Sequence, residues 1–346
     1  MTPRSESGTE DRGFPQPSVP GSPSAILKFL ASLKLTLVIL AALGVAIIVA
    51  YLSAAPITWM LAVPLTAFAL NLAAAVAINP VFRHQAALLV LHLALIAILL
   101  LIATGRLTYL KGQLELAEGE VFDGQLTQEE SGPWHPLHLG EARFSNDGFT
   151  IDYAKGVRRG NTRNQISWAT PGGKIQQAVV GDQTPLILAG YRFYTSHNKG
   201  FAPAFIWHPN SGAPPVLGTV HLPAYPLHEY KQAIEWTPPG SKTPLWVMLQ
   251  FDEMILDPAK PSEFRLPTKH QLVVRVGDER RELKQGDAMR LAEGILVYSG
   301  LRSWMGYTVF YDSTLPWLLA ACILAVVSMA WHFWNKFLNR PWDKPA

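Results

Sequence analysis

Residues 86–104 read AALLVLHLALIAILLLIAT, and the only ionisable side chain in that run is His92. About 18 or more uninterrupted apolar residues suffice for a helix to cross the roughly 30 Å hydrocarbon layer of a bilayer. Working outward, comparable runs lie at Leu35–Leu52 and Ile57–Ile78 upstream and at Leu315–Trp334 downstream. Taken singly, each could be a buried helix of a soluble protein. Three in close succession leave no polar face to meet water. The fold class expected is therefore a membrane α-helical bundle of four transmembrane helices, joined to a second, different kind of domain. The first apolar run exceeds the 7–15 residues of a signal-peptide core and is followed by Pro56, so it is read as a permanent span.

Charge places the helix ends. The chain has a formal net charge of +3, but Lys28, Lys34, Arg83, Lys336, Arg340 and Lys344 all flank apolar runs. Lys and Arg close to a span resist translocation, so those ends, and with them both termini, are expected in the cytoplasm. The uncharged loop Ser53-Ala54-Ala55-Pro56 and the whole of 105–313 then fall outside. This charge pattern has the lipid bilayer as its partner and no nucleic acid, for which a basic face would be required. The lone cysteine, Cys322, lies inside the last apolar run. It rules out an internal disulfide, a CxxC redox pair and a CxxCH haem-attachment site, and is read as a small packing residue in a helix interface.

After Gly105 the periodicity changes. Gln113–Ala117, Phe149–Tyr153, Gln176–Val180, Tyr191–Ser196, Leu245–Phe251, Gln271–Val276 and Ile295–Tyr298 are short, rich in β-branched and aromatic residues, and often alternate in polarity. Pro171-Gly172-Gly173, Pro214-Pro215 and Pro238-Pro239-Gly240 punctuate them. An extracytoplasmic all-β domain, sandwich-like or an irregular barrel, follows. The organisation expected is a disordered cytoplasmic segment over 1–25, a three-helix transmembrane bundle over 26–104, the β-rich domain over 105–313, the fourth helix over 314–335 and a cytoplasmic tail over 336–346. Leu315-Pro316-Trp317 opens that fourth helix with proline in the first turn, where a missing N–H costs little.

No GxGxxG, phosphate loop, HExxH or GxSxG occurs. His135 and His138 have a metal-compatible spacing, but Pro136 between them favours a surface pair. His197, His208, His221, His228 and His270 are scattered, and Arg158, Arg159 and Arg163 read as a solvated loop able to meet an acidic group such as a haem propionate or a lipid phosphate. His92 is different: an imidazole in lipid needs a partner. It lies about 9 Å from the start of its helix at a rise of 1.5 Å per residue. Two readings stay open for it, an axial ligand for haem iron, or a hydrogen bond to Asn71 or a backbone carbonyl that only fixes helix packing. His332, in Ala330-Trp331-His332-Phe333-Trp334, is a second ligand candidate or an interfacial aromatic-belt residue, roughly 3–5 Å from the cytoplasmic helix end.

Several segments resemble one family. Leu30-Ala31-Ser32-Leu33-Lys34-Leu35-Thr36 is similar to the lead into its first helix, and Leu91-His92-Leu93 with Gly105-Arg106-Leu107 and Leu116-Ala117-Glu118-Gly119-Glu120 to its third helix and exit. Thr184-Pro185-Leu186, Ala189-Gly190-Tyr191-Arg192-Phe193-Tyr194-Thr195-Ser196 and Ser299-Gly300-Leu301-Arg302-Ser303-Trp304 through Tyr311-Asp312 continue the likeness. The family is ResB (CcsB), of the system II cytochrome c biogenesis pathway. The chain resembles a divergent, short member, with Asp312-Ser313-Thr314 where Asp-Pro-Gly is usual.

The resemblance implies a bacterial cytoplasmic (inner) membrane location, a ResC (CcsA)-type membrane partner, apocytochrome c as the protein served, and a transiently held b-type haem. It assigns His92 as an axial haem ligand, with the other ligand supplied by the partner. The family's synthase segment is a tryptophan-rich loop that belongs to the partner. Here the tryptophans are dispersed (Trp168, Trp207, Trp236, Trp246, Trp304), so this chain is an accessory subunit and not a complete haem ligase. The alternative function is a haem-binding membrane anchor of a respiratory complex, passing electrons between quinol and external multihaem cytochromes. Ligation of one haem by both His92 and His332 would favour that alternative.

Overall fold

The computed structural model describes residues 25–52, 57–229 and 231–338. The segment expected to be disordered, 1–25, lies outside the described residues apart from Ala25, as do the loop 53–56 and most of the tail 336–346. The chain divides into two compact units, Met1–Ala103 with Pro316–Ala346, and Thr104–Leu315.

The first unit is helical. Its elements are α1 (Ala25–Leu30), α2 (Leu33–Leu52), α3 (Thr58–Ile78), α4 (Val81–His84), α5 (Ala86–Thr108, which runs on into the second unit) and α6 (Leu315–Leu338). Of these, α2, α3, α5 and α6 are long and apolar enough to cross a membrane. Two run past the apolar windows read from the sequence: α5 continues through Gly105-Arg106-Leu107 and α6 through Asn335-Lys336. A charge ends a hydrophobic window, but Arg and Lys are good helix formers and do not end the helix. Ala46 of α2, Leu61 and Leu65 of α3, and Ala103 of α5 form one packed cluster. Leu91 and Ala94 of α5 form another with Ala325 of α6.

A buried asparagine explains how α1 and α2 are held on α3. The Asn71 amide donates to the Leu30 carbonyl at 2.5 Å, and its oxygen accepts from the Thr36 hydroxyl at 2.8 Å. The Leu30 carbonyl is one that the short α1 leaves without a helical partner. In an apolar bundle that pairing satisfies both groups, which is why a polar residue is tolerated there. Cys322, expected in a helix interface, is exposed, because α6 buries only Ala325 and Ser328 among the described residues.

The second unit is all β apart from one short 3₁₀ turn and the helix ends that it shares. Its strands are β1 (Leu110–Ala117), β2 (Gln128–Ser131), β3 (Ser145–Ala154), β4 (Arg158–Ala169), β5 (Ile175–Val180), β6 (Leu186–Leu188), β7 (Tyr191–Pro209) and β8 (Val216–Thr219). They continue with β9 (Ala233–Trp236), β10 (Leu245–Gln250), β11 (Ser262–Glu263), β12 (Gln271–Val276), β13 (Glu279–Leu283), β14 (Ala288–Leu291) and β15 (Gly294–Tyr311). Three antiparallel sheets result: β2-β1-β15-β7-β6 with β14 and β8 attached, β13-β12-β10-β9, and β11-β3-β4-β5. This is a three-sheet arrangement around one core rather than a two-layer sandwich. Ile151, Ile166, Phe193, Phe205, Val247 and Leu272 bring all three sheets into that core.

The two longest strands were under-read in the sequence. Alternation marked only Tyr191–Ser196 and Ile295–Tyr298, yet β7 runs on to Pro209 and β15 to Tyr311. Lys199–Phe205 is buried at every position, and so is Ser303–Tyr307. A strand covered on both faces has no polar alternation to read. The pairing β7·β15 carries register shifts at Tyr298/Gly300 and Met305/Tyr307, where the long ribbon bends. On the other edge of β15, β1 pairs from Leu110↔Tyr311 to Ala117↔Trp304. The end of α5 and the start of α6 are thereby brought to the same end of the sheet.

A buried polar network ties β1, β3, β4 and β15 together. Asn146 donates to the Leu116 carbonyl at 2.9 Å, Asn164 donates to the Asn146 side chain at 2.7 Å, and the Tyr307 hydroxyl donates to Asn164 at 2.5 Å. Tyr307→Phe leaves the buried Asn164 oxygen without that donor, which costs about 1–3 kcal/mol. Denaturant unfolding of the detergent-solubilised chain, followed by tryptophan fluorescence, should show the loss. An unchanged midpoint would mean that water or another donor replaces the hydroxyl.

Candidate functional site

His92 sits in the second turn of α5, half-buried. Its Nδ1 is 2.8 Å from the carbonyl of Leu88, one turn earlier, and the ring of Phe82 in α4 meets it edge-on with centroids 4.7 Å apart. A carbonyl can only accept, so Nδ1 carries the proton and donates it. In the neutral form of the ring the lone pair then lies on Nε2, which has no hydrogen-bond partner among the described residues. That is the tautomer in which imidazole coordinates a metal through Nε2, and the backbone bond fixes the ring's orientation as an outer-shell partner does at metal sites. Of the two packing bonds anticipated, the one to a backbone carbonyl forms. The one to Asn71 does not, because Asn71 is already engaged by Leu30, Ser32 and Thr36.

His332 is half-buried on α6, with Phe333 at 5.6 Å between ring centroids. Because α6 continues to Leu338, beyond the apolar window that ended at Trp334, His332 lies about 9 Å by rise from the end of the helix. The helix packing nevertheless keeps the two histidines apart. Ala325 packs in the cluster of Leu88, Leu91, Ala94 and Ile98, and so sits at the level of His92. His332 is a further two turns along α6, roughly 10 Å away along the axis. The faces differ as well. His92 recurs with Leu99 and Ala103 at spacings of seven and four, on the α5 face that packs against α2 and α3, whereas α6 meets the Leu91–Ala94 face. The structure does not bring His92 and His332 together.

The other anticipated groups fare differently. His135 and His138 are not a surface pair. His135 is buried, with Nδ1 donating to the Thr108 carbonyl and Nε2 meeting the Tyr191 hydroxyl, each at 2.8 Å. With both ring nitrogens engaged it has no electron pair for a metal. Arg158, Arg159 and Arg163 lie on strand β4 rather than in a loop. Arg159 pairs with Asp182 and Arg163 with Asp152, both at 2.9 Å. Among the described residues no group of three or more His, Cys, Asp or Glu side chains is placed to hold a metal ion.

A cluster that sequence reading missed gathers around His221, which follows β8. Its Nδ1 lies 3.2 Å from Glu115, its Nε2 lies 3.6 Å from Glu120, and its ring stacks on Trp304 with centroids 5.6 Å apart. The Trp304 indole N–H donates to the Leu222 carbonyl at 3.0 Å. Glu120 also accepts from the Thr219 hydroxyl and, at 2.8 Å, from the Ala117 amide. Burial alone would lower the His221 pKa, but the two carboxylates outweigh it and raise it to about 9. Burial would likewise raise Glu120, yet the bonds from His221, Thr219 and Ala117 bring it below its ordinary value. An imidazolium between two carboxylates clamps β1 and the segment after β8 onto β15. Glu115 and His221 are far apart in sequence and meet only through the sheet, so no local spacing marks them.

Residues 82–223 match the model of the ResB-like family, in agreement with the resemblance drawn from the sequence. The match runs from Phe82, the ring on His92, to just past His221. No curated protein matches the chain. Among solved structures the chain is similar to one described as "Cytochrome c Heme Lyase CcmF", at 14% identity and a TM-score of 0.30, over 89% of this chain and 38% of that one. It thus spans well under half of that protein's length, and a score that low bears on neither fold nor function.

The His221 clamp has a pH signature. Folding raises the affinity of His221 for its proton, so its contribution is complete below the ordinary value of 6.5 and is lost as pH rises through about 9. Glu120, lowered by folding, contributes above its ordinary 4.5 and loses that contribution as the solution is acidified. Thermal melts of the detergent-solubilised protein should fall in midpoint between neutral pH and the region above 9, and this slope should flatten in His221→Gln. Parallel pH profiles for the two proteins would show that His221 is not held as an imidazolium.

Proposed function

We propose that this chain is a ResB-like membrane subunit in cytochrome c biogenesis, acting with a ResC (CcsA)-type partner in the delivery and attachment of haem to apocytochrome c outside the bacterial cytoplasmic membrane. The observation that carries the reading is His92. Its Nδ1–H is taken up by the Leu88 carbonyl, leaving the Nε2 lone pair without a partner among the described residues, on a helix long and apolar enough to span the membrane and inside the stretch that matches the ResB-like family. Neutral imidazole in an apolar setting suits a haem iron. A b-type haem held there supplies the iron-porphyrin that is to be passed on.

In this reading the chain's own residues position the haem and do not carry out its attachment. Leu88 and Phe82 fix the His92 ring, which would hold the haem together with a ligand from the partner. The β-rich unit, expected outside the membrane, is the scaffold on which the apocytochrome is received. The respiratory-anchor alternative drew its support from ligation by His92 and His332 together. The different faces of the helix packing on which they fall do not favour that alternative.

His92→Ala should lower the haem recovered with the co-purified partner complex, by pyridine haemochrome assay, and should block holocytochrome c formation with protein levels nearly unchanged. Imidazole added to the medium should restore part of the activity by filling the vacated axial position, and His332→Ala should have the smaller effect. Equal haem content in wild type and His92→Ala at matched protein levels would overturn the ligand role.

A further inference from the structure

The stretch Ser131-Gly132-Pro133-Trp134-His135-Pro136-Leu137-His138-Leu139-Gly140 contains no Asp, Glu, Lys or Arg. It is a connection between strands, yet it displays two large apolar side chains to the outside. Leu137 is 91% exposed and Trp134 is 62% exposed. Apolar residues at a loop tip are ordinary when scattered singly, but two of them on a charge-free loop held rigidly in one place mark a surface meant to be covered.

The loop is held on the last turn of α5. The Gly132 amide donates to the Tyr109 carbonyl at 2.9 Å and the Trp134 amide to the Leu107 carbonyl at 2.8 Å. His135 donates to the Thr108 carbonyl between them. These are carbonyls that the end of a helix leaves without helical partners. The order matters: as the loop advances from 132 to 134 its partners step back from 109 to 107, so the loop runs antiparallel to the last turn of α5. Gly132 makes this approach possible, since a Cβ there would stand 2.2 Å from the Leu107 carbonyl oxygen. On its other side the loop is braced by aromatic rings. Tyr191 lies 2.8 Å from His135 Nε2 and donates to the Pro136 carbonyl at 3.1 Å, while Tyr191 and Tyr311 both meet the rings of His135 and His138 edge-on.

We infer that this loop is a membrane footplate: Trp134 and Leu137 insert into the interfacial layer of the bilayer beside the outer end of α5. The occupant follows from continuity. The loop is bonded to the final turn of a helix long and apolar enough to span, at the level of Arg106 and Tyr109, which lie against each other as a cation–π pair. Such a turn lies where hydrocarbon gives way to headgroups, and tryptophan favours that depth. A charge-free tip with leucine and tryptophan fits the interfacial layer of a lipid surface, where leucine is taken out of water and the tryptophan indole N–H can still meet the headgroups.

The test places a reporter at the tip. The full-length Cys322→Ser, Leu137→Cys protein, labelled with an environment-sensitive fluorophore, is reconstituted in phospholipid nanodiscs. Leu137 is almost fully exposed, so the substitution leaves folding untouched, which the unfolding midpoint verifies. Two quenchers are then compared, a nitroxide carried on the lipid near the headgroup and aqueous iodide. The footplate predicts that the lipid nitroxide roughly halves the emission while iodide changes it little, as expected for a side chain within the interfacial 5–10 Å. Efficient quenching by iodide with none from the lipid nitroxide would overturn the proposal and leave the tip as a contact for a protein.

Discussion

The antiparallel pairing of β1 with β15, closed at Leu110↔Tyr311, is the constraint on which the rest of this structure hangs. One strand begins just after a membrane-length helix ends, and the other ends just before the next begins. Backbone hydrogen bonds between them fix where one membrane-length helix ends and the next begins. The contact is tight at that closure: a Cβ on Gly105, in the last turn of α5, would come within 3.0 Å of the Thr314 hydroxyl. Everything between the two strands is an excursion that starts and finishes at one end of the sheet.

The interior of that excursion relies on polar groups as much as on apolar ones. Asn146, Asn164 and Tyr307 form a fully buried chain of hydrogen bonds across four strands. Such a network is worth having only when every member is satisfied, because each orphaned group in a low-dielectric core is costly. The His221 clamp follows the same logic near the surface, with Glu115 and Glu120 offsetting the burial of a cation. His135 and Tyr191 do so near the end of α5. In each case a residue type that is often catalytic is occupied in holding strands together.

His92 is the exception, since one of its nitrogens is engaged and the other has no hydrogen-bond partner among the described residues. The bond to the Leu88 carbonyl holds the ring in one orientation on α5.

The sequence by itself determined the four long apolar helices, the change to a β-rich region after Gly105, the singular position of His92 and the family resemblance. All of these are local properties: hydrophobic run length, residue periodicity and short motifs can be read from neighbours in the chain. It missed the full lengths of β7 and β15, because burial on both faces erases the alternation by which a strand is recognised. It also misread His135, Arg159 and Cys322, whose surroundings come from segments far away in the chain. Only the tertiary structure decided that Asn71 serves α1 and α2 and leaves His92 to the Leu88 carbonyl, that Ala325 sets an axial offset between His92 and His332, and that Glu115 meets His221. Those outcomes depend on helix packing and strand register, which no window of sequence contains.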